Sequence, residues 1–245
     1  MADGWWQSFF DDWYLDNWID PASYDERTPA QVDFLVEALG LQPGACVLDS
    51  CCGEGRHSRE FARRGFRTVG VDQSEDSLER ARRASPDLEF RHLDLRDMTF
   101  DREFDAAINL FTAFGYMPDE ENQRAMNAIA SALKPGGVLA LDTMGRDWLV
   151  RNFRATDWRR MPSGVLLEER HYDAVAGRIC AKMTILHDGA APEVRETDIR
   201  LYTPLEMTSL LREAGLEPVR WYGGYDGSEL GLDSRRLIVI ARRTM

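Results

Sequence analysis

Three acids and two glycines lie at intervals that suit a binding pocket. VLDSCCGEGRHS places Asp49 at the end of an apolar run and follows it with Gly53 and Gly55 before a helical segment; VGVDQS places Asp72, and RHLDL places Asp94. An apolar run that ends on a carboxylate and breaks into glycines reads as a buried strand feeding a ligand turn. Glycine lets the backbone approach a ligand closely, and the next helix offers unpaired N–H groups. A dinucleotide would need G-x-G-x-x-G, and Ser58 stands where the third glycine would fall. A strand-end carboxylate also repels a pyrophosphate, so Asp49 favours a ligand carrying an ammonium group.

Asp72 ends the second strand, where an acid can accept both hydroxyls of a ribose, and Asp94 ends the third. A ligand with an amine, a ribose and a base amino group fits three such acids. S-adenosylmethionine has all three, plus a sulfonium. Arg27 precedes a helix expected near the loop and would meet a methionine carboxylate. Cys46, Cys51, Cys52 and Cys180 form no CxxC pair and read as reduced packing residues, with no metal site. His57 begins the first helix after the turn and reads as packed or capping. His171 faces either solvent or substrate. Arginine far outnumbers lysine, so a single arginine is weak evidence for an anion site.

The chain has 245 residues, 44% hydrophobic, with a formal net charge of -12. That content can bury the core of one large domain. The acidic balance argues against nucleic acid, whose affinity comes mainly from Lys and Arg neutralising phosphates. No apolar stretch approaches the roughly 20 residues of a membrane helix, and the start MADGWWQSFFDDW lacks a basic n-region and a small-residue cleavage site, so the reading is cytoplasmic.

The positioning elements alternate. WWQSFFDDWYLDNW carries four tryptophans, with Trp6, Phe9, Phe10 and Trp13 at helical spacing, which predicts one amphipathic helix over this stretch, residues 5–18. In TPAQVDFLVEALG, Thr28 reads as N-cap, Pro29 as first helical residue, Gln31 as closing a capping box and Gly40 as the stop. ACVLDS, FRTVGVD, LEFRHLD, EFDAAINLF and VLALDT read as strands separated by helices, which indicates an α/β, doubly wound, mostly parallel sheet covered on both faces. VLLEERHYD, RICAKMTILHD and VRETDIRLY alternate apolar and polar residues and predict a three-stranded antiparallel insert over 165–201. Thr203 to Glu206 form a second capping box, and LEPVRWYGG and RRLIVIARR read as antiparallel neighbours. The divisions expected are a helical cover or lid at 1–40, a binding core at 41–145, an insert or cap at 146–201 and the rest of the core at 202–245.

With these residues in place, the sequence resembles the class I S-adenosylmethionine-dependent methyltransferases over nearly its whole length. Asp49, Gly53 and Gly55 match D-x-G-x-G-x-G, with Cys51 where the first glycine is usual. INLFTAFGYM resembles the fourth strand and the loop lining the methyl-donor site, and LKPGGVLAL a common lead into the fifth. The LYTP, YGGYDGS and DSRRLIVIARR stretches are similar to bacterial small-molecule and amino-sugar N-methyltransferases. The resemblance implies a seven-stranded Rossmann-like methyltransferase fold, with Asp49 at the methionine amino group, Asp72 at the ribose, Asp94 and Leu95 at the adenine, and Cys51, Gly53, Gly55, Gln73 and Asn109 also on the cofactor.

The expected function is methyl transfer to nitrogen or oxygen of a small-molecule acceptor by a monomer or homodimer. Tyr14, reaching in from the cover, with Tyr116, His171 and Tyr222 would shape the acceptor pocket. A base is needed only if the acceptor arrives protonated, and none stands out. The alternatives are a nicotinamide-dependent oxidoreductase on the same kind of sheet and a non-catalytic S-adenosylmethionine-binding module.

A ligand that binds only the folded state stabilises it by mass action, about 2.7 kcal/mol at a hundred times its Kd. S-adenosylhomocysteine is therefore expected to raise the melting temperature, and NAD and NADP to leave it unchanged. Differential scanning fluorimetry with each ligand decides; stabilisation by NAD alone would favour the oxidoreductase.

Overall fold

The computed structural model describes residues 4–17, 21–161, 164–187, 189 and 191–244. The chain opens with α1 (Trp6–Phe9), α2 (Asp12–Asn17) and α3 (Pro21–Leu39). The wound part follows: β1 (Cys46–Ser50), α4 (Arg56–Arg63), β2 (Arg67–Asp72), α5 (Glu75–Ala84), β3 (Glu89–His92), β4 (Phe104–Asn109), α6 (Asp119–Ala132) and β5 (Leu133–Met144). After α7 (Arg146–Arg151) come β6 (Thr156–Met161), β7 (Gly164–Asp173), β8 (Arg178–Leu186) and β9 (Glu193–Arg200), and then α8 (Pro204–Glu213), β10 (Leu216–Tyr222) and β11 (Arg236–Arg243).

Seven strands form one sheet in the order β10-β11-β5-β4-β1-β2-β3. β1 to β5 pair in parallel, while β11 is antiparallel to both β5 and β10. Strand order reverses between β1 and β4. Such a switch point opens a crevice at the carboxyl ends of the strands, and the glycine turn lies there. The strands are buried on both faces: Leu48, Ala107 and Leu139 join one cluster with α6 and α8, and Val47, Ile108 and Ala140 join the other with α3 and α4.

Helix ends follow local chemistry. The Ser74 side chain caps α5 by accepting from Ser77 N, and the capping box at Thr203 and Glu206 is complete on α8. α3 departs from expectation. It starts at Pro21 and carries Pro29 inside it. Thr28 Oγ1 and Gln31 Oε1 accept from Arg56 Nη1 at 2.7 and 3.0 Å, so the residues expected to cap this helix bind α4 instead. The aromatic opening is also two helices rather than one. Asp11 Oδ1 accepts from Tyr14 N at 3.0 Å, an N-cap geometry that starts α2 and ends α1. Trp18, the last of the four opening tryptophans, lies outside the described residues.

The second sheet has four strands in the order β6-β7-β8-β9, one more than expected. TDWRRM has no alternating pattern, and Trp158 on this edge strand is exposed. Phe9 packs with Leu166, Met183 and Ile185 of the sheet, and Trp5, Trp13 and Tyr14 join them. Arg195 binds both oxygens of Asp11 at 2.9 Å, and Trp5 Nε1 donates to Asp198 O at 3.1 Å. The small sheet therefore grips α1 and α2 from above.

Truncating a buried Phe to Ala costs ~3–5 kcal/mol. In Phe9→Ala the loss falls on the junction of helices and small sheet, so amide exchange is expected to speed up across residues 4–17 while β1 and β4 keep their protection. Equal loss in all three segments would show that α1 and α2 unfold only with the core.

Candidate cofactor and acceptor site

The glycine turn begins with strain. Cys51 follows β1 at φ 62, a region that side chains with a Cβ avoid, and Gly53 and Gly55 follow at φ 53 and 71. The two glycines serve different ends. A Cβ on Gly53 would meet nothing within 4 Å, so this position leaves open space where a ligand can approach. A Cβ on Gly55 would lie 2.6 Å from the Phe90 ring, so Gly55 is required by packing of the turn against β3, and it does not line the cavity.

A cavity of about 380 Å³ opens beside Gly53, within the range of small-molecule sites. Asp49, Asp72 and Asp94 all line it, together with Cys51, Gly53, Gln73 and Leu95. Asp49 is buried, and its Oδ2 accepts from Ser58 N at 3.1 Å and Ser58 Oγ at 2.6 Å. Burial raises its pKa to about 6, against the pull of Ser58 and Arg56. Asp72 accepts from Gly53 N at 2.8 Å and Ser74 N at 2.9 Å, and shelter from water still raises its pKa. Asp94 is clamped by Arg96, Nε to Oδ1 at 2.9 Å and Nη2 to Oδ2 at 2.7 Å, and those bonds lower its pKa. A carboxylate has about four acceptor positions, so each acid keeps capacity for a ligand.

The opposite wall is aromatic. Trp6, Phe10 and Tyr14 reach the cavity from α1, α2 and the turn between them, and Tyr116 and Phe111 from the loop after β4. Tyr116 stacks on Phe10 at 5.7 Å and meets Trp5 at 4.9 Å. Burial pushes the Tyr116 hydroxyl well above its ordinary pKa. The Gln73 amide donates to Trp6 O at 3.0 Å and Ser74 Oγ to Phe10 O at 2.6 Å, so the two residues after β2 hold α1 and the turn that follows it over the cavity.

Five expected site residues do not line this space. Gly55 has been described. Arg27 is exposed, because α3 continues past it and carries it to the surface. Asn109 is fully buried beneath the turn, where its amide donates to Ser50 O and Oγ at 3.2 Å. His171 is exposed on β7. Tyr222 is buried on β10 against Phe34, 4.9 Å between ring centroids.

Arg56 and His57 do line it and were not expected there. The signal was present: Arg56 is the first residue of α4, where a cation opposes the helix dipole and contributes nothing to helix stability. His57 lies 3.1 Å from Gln31 Oε1 and is buried, and burial with Arg56 and Arg59 nearby lowers its pKa well below the ordinary value. Phe111 lies in the INLFTAFGYM stretch whose resemblance placed it at the site, but it was not singled out there, because its facing depends on a backbone turn that sequence patterns do not show.

Residues 47–137 match a methyltransferase domain family. The chain is 29% identical over 245 aligned residues to the cypemycin N-terminal methyltransferase of a Streptomyces species, covering 91% of this chain and 99% of that one. It is 36% identical over 97 residues to dTDP-3-amino-3,4,6-trideoxy-alpha-D-glucopyranose N,N-dimethyltransferase of Streptomyces venezuelae, covering 39% and 41%. Among solved structures it is similar to the CcbJ methyltransferase from Streptomyces caelestis, with TM-score 0.77, 20% identity and coverage of 89% and 90%.

Asp49 makes a pH test possible. Its pKa of about 6 in the fold lies above the unfolded value, so between pH ~4 and ~6 the folded state holds the extra proton and stability falls as pH rises, levelling off above that window. Relative to Asp49→Asn, the wild type is expected to lose about 3 kcal/mol across that window, at 1.36 kcal/mol per unit. Urea midpoints of both proteins at several pH values give the difference. A constant difference would mean that Asp49 titrates as an ordinary carboxylate.

Proposed function

The chain is an S-adenosylmethionine-dependent methyltransferase, and from that premise we propose that it methylates a nitrogen of a small-molecule acceptor in the cavity under α1 and α2. The observation that carries the reading is the convergence of Asp49, Asp72 and Asp94 on one cavity, opposite an aromatic wall. This donor set fits the cofactor: carboxylates with spare acceptor positions suit an ammonium, a ribose and a base amino group, and the open side of Gly53 leaves room for it. In this reading Asp49 takes the amino group, Asp72 the ribose hydroxyls, and Asp94 with Leu95 the adenine. Arg56 takes the methionine carboxylate in place of Arg27, supported by its position on the cavity wall.

The cofactor supplies a methyl group already activated by its sulfonium. The protein's task is to hold the nucleophile in line and keep water out, and orientation of this kind is worth ~7–11 kcal/mol of barrier. Phe10, Tyr14 and Tyr116 are the residues assigned to that task, with α1 and α2 as a lid. Nitrogen is favoured over oxygen by the relatives, whose names include N-methyltransferases, and by the cavity's chemistry. The imidazole on its wall, His57, is made a weak base by burial. A hydroxyl needs a strong base, whereas an amine releases its proton closer to neutral pH. The same reading takes the enzyme as cytoplasmic, as a monomer or homodimer and without a nucleic-acid partner, the last supported by the net charge of -12.

Labelled S-adenosylmethionine offered with matched amine and hydroxyl forms of sugars and small acids is expected to give N-methyl products, identified by mass spectrometry. Label only on the hydroxyl forms would move the reaction to oxygen.

A further inference from the structure

The small sheet turns one face inward. Leu166, Met183 and Ile185 lie on that face and pack on Phe9 of α1. An antiparallel sheet covered on one side is expected to be polar on the other. Here the pattern breaks. The pairing register runs without a bulge from Trp158 to Leu167, from Leu167 to Thr184 and from Thr184 to Val194, so these four stand in one row across the outward face. Trp158 is 63% exposed, Val194 52% and Leu167 38%. The row beside it holds Arg160, Val165 and Leu186, and Leu186 is exposed as well. Apolar residues scattered singly over a surface need no explanation, whereas a contiguous patch marks a surface that another molecule covers. A tryptophan among aliphatic side chains is also the composition of an interface core.

The charges on this face point to one occupant. On the other side of the apolar row, Thr156, Glu169, Lys182 and Glu196 stand opposite one another on β6, β7, β8 and β9, all exposed. Across the three rows Arg160 and Lys182 balance Glu169 and Glu196, so the patch is neutral on a chain of net charge -12. Two such acidic chains repel least where neutral patches meet.

The signs are self-complementary too. Turned over about a two-fold axis that runs along the strands between β7 and β8, the face lays β7 on β8 of a second copy and β6 on β9. Glu169 of each copy then meets Lys182 of the other, Trp158 meets Val194, and Leu167 meets Thr184. An axis across the strands would instead set Glu169 on Val165 and Lys182 on Leu186, burying charges without partners. Self-complementarity is what a two-fold interface requires. The size also suffices. Strands ~4.8 Å apart and about eight residues long at ~3.4 Å each make the four-stranded face ~19 by ~27 Å, or roughly 500 Å². Two copies together cover ~1,000 Å², where specific interfaces begin.

We propose that the outward face of the small sheet is where two copies of this chain associate, sheet on sheet, about the axis that runs along the strands. Trp158, Leu167 and Val194 form the apolar centre of the contact. Glu169 and Lys182 fix its orientation through two symmetric ion pairs.

Sedimentation velocity reads the oligomeric state. Wild type is expected to be a dimer at micromolar concentration, and Leu167→Glu, Glu169→Lys and Lys182→Glu each to weaken dimerisation at least tenfold. The deciding sample is an equimolar mixture of E169K and K182E. Each variant alone sets like charges face to face, but one copy of each restores both ion pairs, so the mixture is expected to form a heterodimer within threefold of the wild-type dissociation constant. A misfolded chain could not supply that recovery. A monomeric wild type, which would leave the face to some other molecule, overturns the proposal, and so does a dimer that all three variants leave intact. A mixture that stays monomeric overturns it as well, because the two-fold axis then does not pair these charges. Should either charge variant lose its native circular dichroism spectrum, L167E and Trp158→Ala decide: loss of the dimer with native spectra supports the proposal, and a persisting dimer overturns it.

Discussion

Three carboxylates share one sheltered cavity, and much of the surrounding structure answers the cost of sheltering their charge. A charge taken out of water is costly unless it is paired or hydrogen-bonded. Each acid is answered differently. Ser58 gives Asp49 a backbone and a hydroxyl donor. Asp72 draws on the N–H groups of Gly53 and Ser74. Asp94 has the Arg96 guanidinium, itself paired to Glu121 at 3.0 Å. The donors for the first two are the turn and the starts of α4 and α5, so the charges that form the site also fix the shape of its walls.

The same economy governs α1 and α2. Helices of 4 and 6 residues have no independent stability, because helix nucleation is unfavourable and so few turns cannot offset it. Their place is set by carbonyls that a short helix leaves unpaired. Trp6 O and Phe10 O accept from Gln73 and Ser74 below, and Phe9 O accepts from Arg195 Nη1 at 3.1 Å above. Arg178 of β8 reaches the carbonyls of Met117 and Tyr116 on the far wall, at 3.1 and 3.3 Å. The small sheet thus holds both the helices and the loop that face each other across the cavity, and moving one of them strains the other.

How much of this could be read from the sequence depends on the range of the forces involved. The sheet, its alternating helices and its closing antiparallel pair follow from apolar runs and their separators, which are local. The strand-end acids were legible for the same reason, because a charge at the end of an apolar run is informative wherever the strand finally packs. Ser58 was read only as a missing glycine, and its bond to Asp49 depends on how α4 leaves the turn. Arg27 and Arg56 show the converse: Thr28, Pro29 and Gln31 carry good capping signals, yet α3 runs through them and the side chains of Thr28 and Gln31 bind across to Arg56 and His57. β6 was invisible because none of its residues is buried, so no packed face imposes an apolar alternation on it. Tyr222 and His171 have the right chemistry on the wrong faces, and facing depends on register, which a single residue type does not reveal.

Strain around the cavity supplies the last constraint. Among the described residues four that carry side chains have positive φ, and three of these, Cys51, Phe111 and Thr112, are in the two loops that follow β1 and β4 at the switch point. Such a conformation costs roughly 1–3 kcal/mol per residue and persists only where neighbours enforce it. For Phe111 and Thr112 the enforcer is Asp142, bonded to both backbone N–H groups. For Cys51 it is the turn itself, with Cys52 N donating to Val71 O at 3.0 Å and Gly55 N to Cys52 O at 3.0 Å. A glycine at 51 would relieve the backbone but remove the thiol, which lies 3.8 Å from Ala113 O on the opposite loop. The Cys51 side chain thereby makes one strained loop rest on the other, and both loops line the cavity.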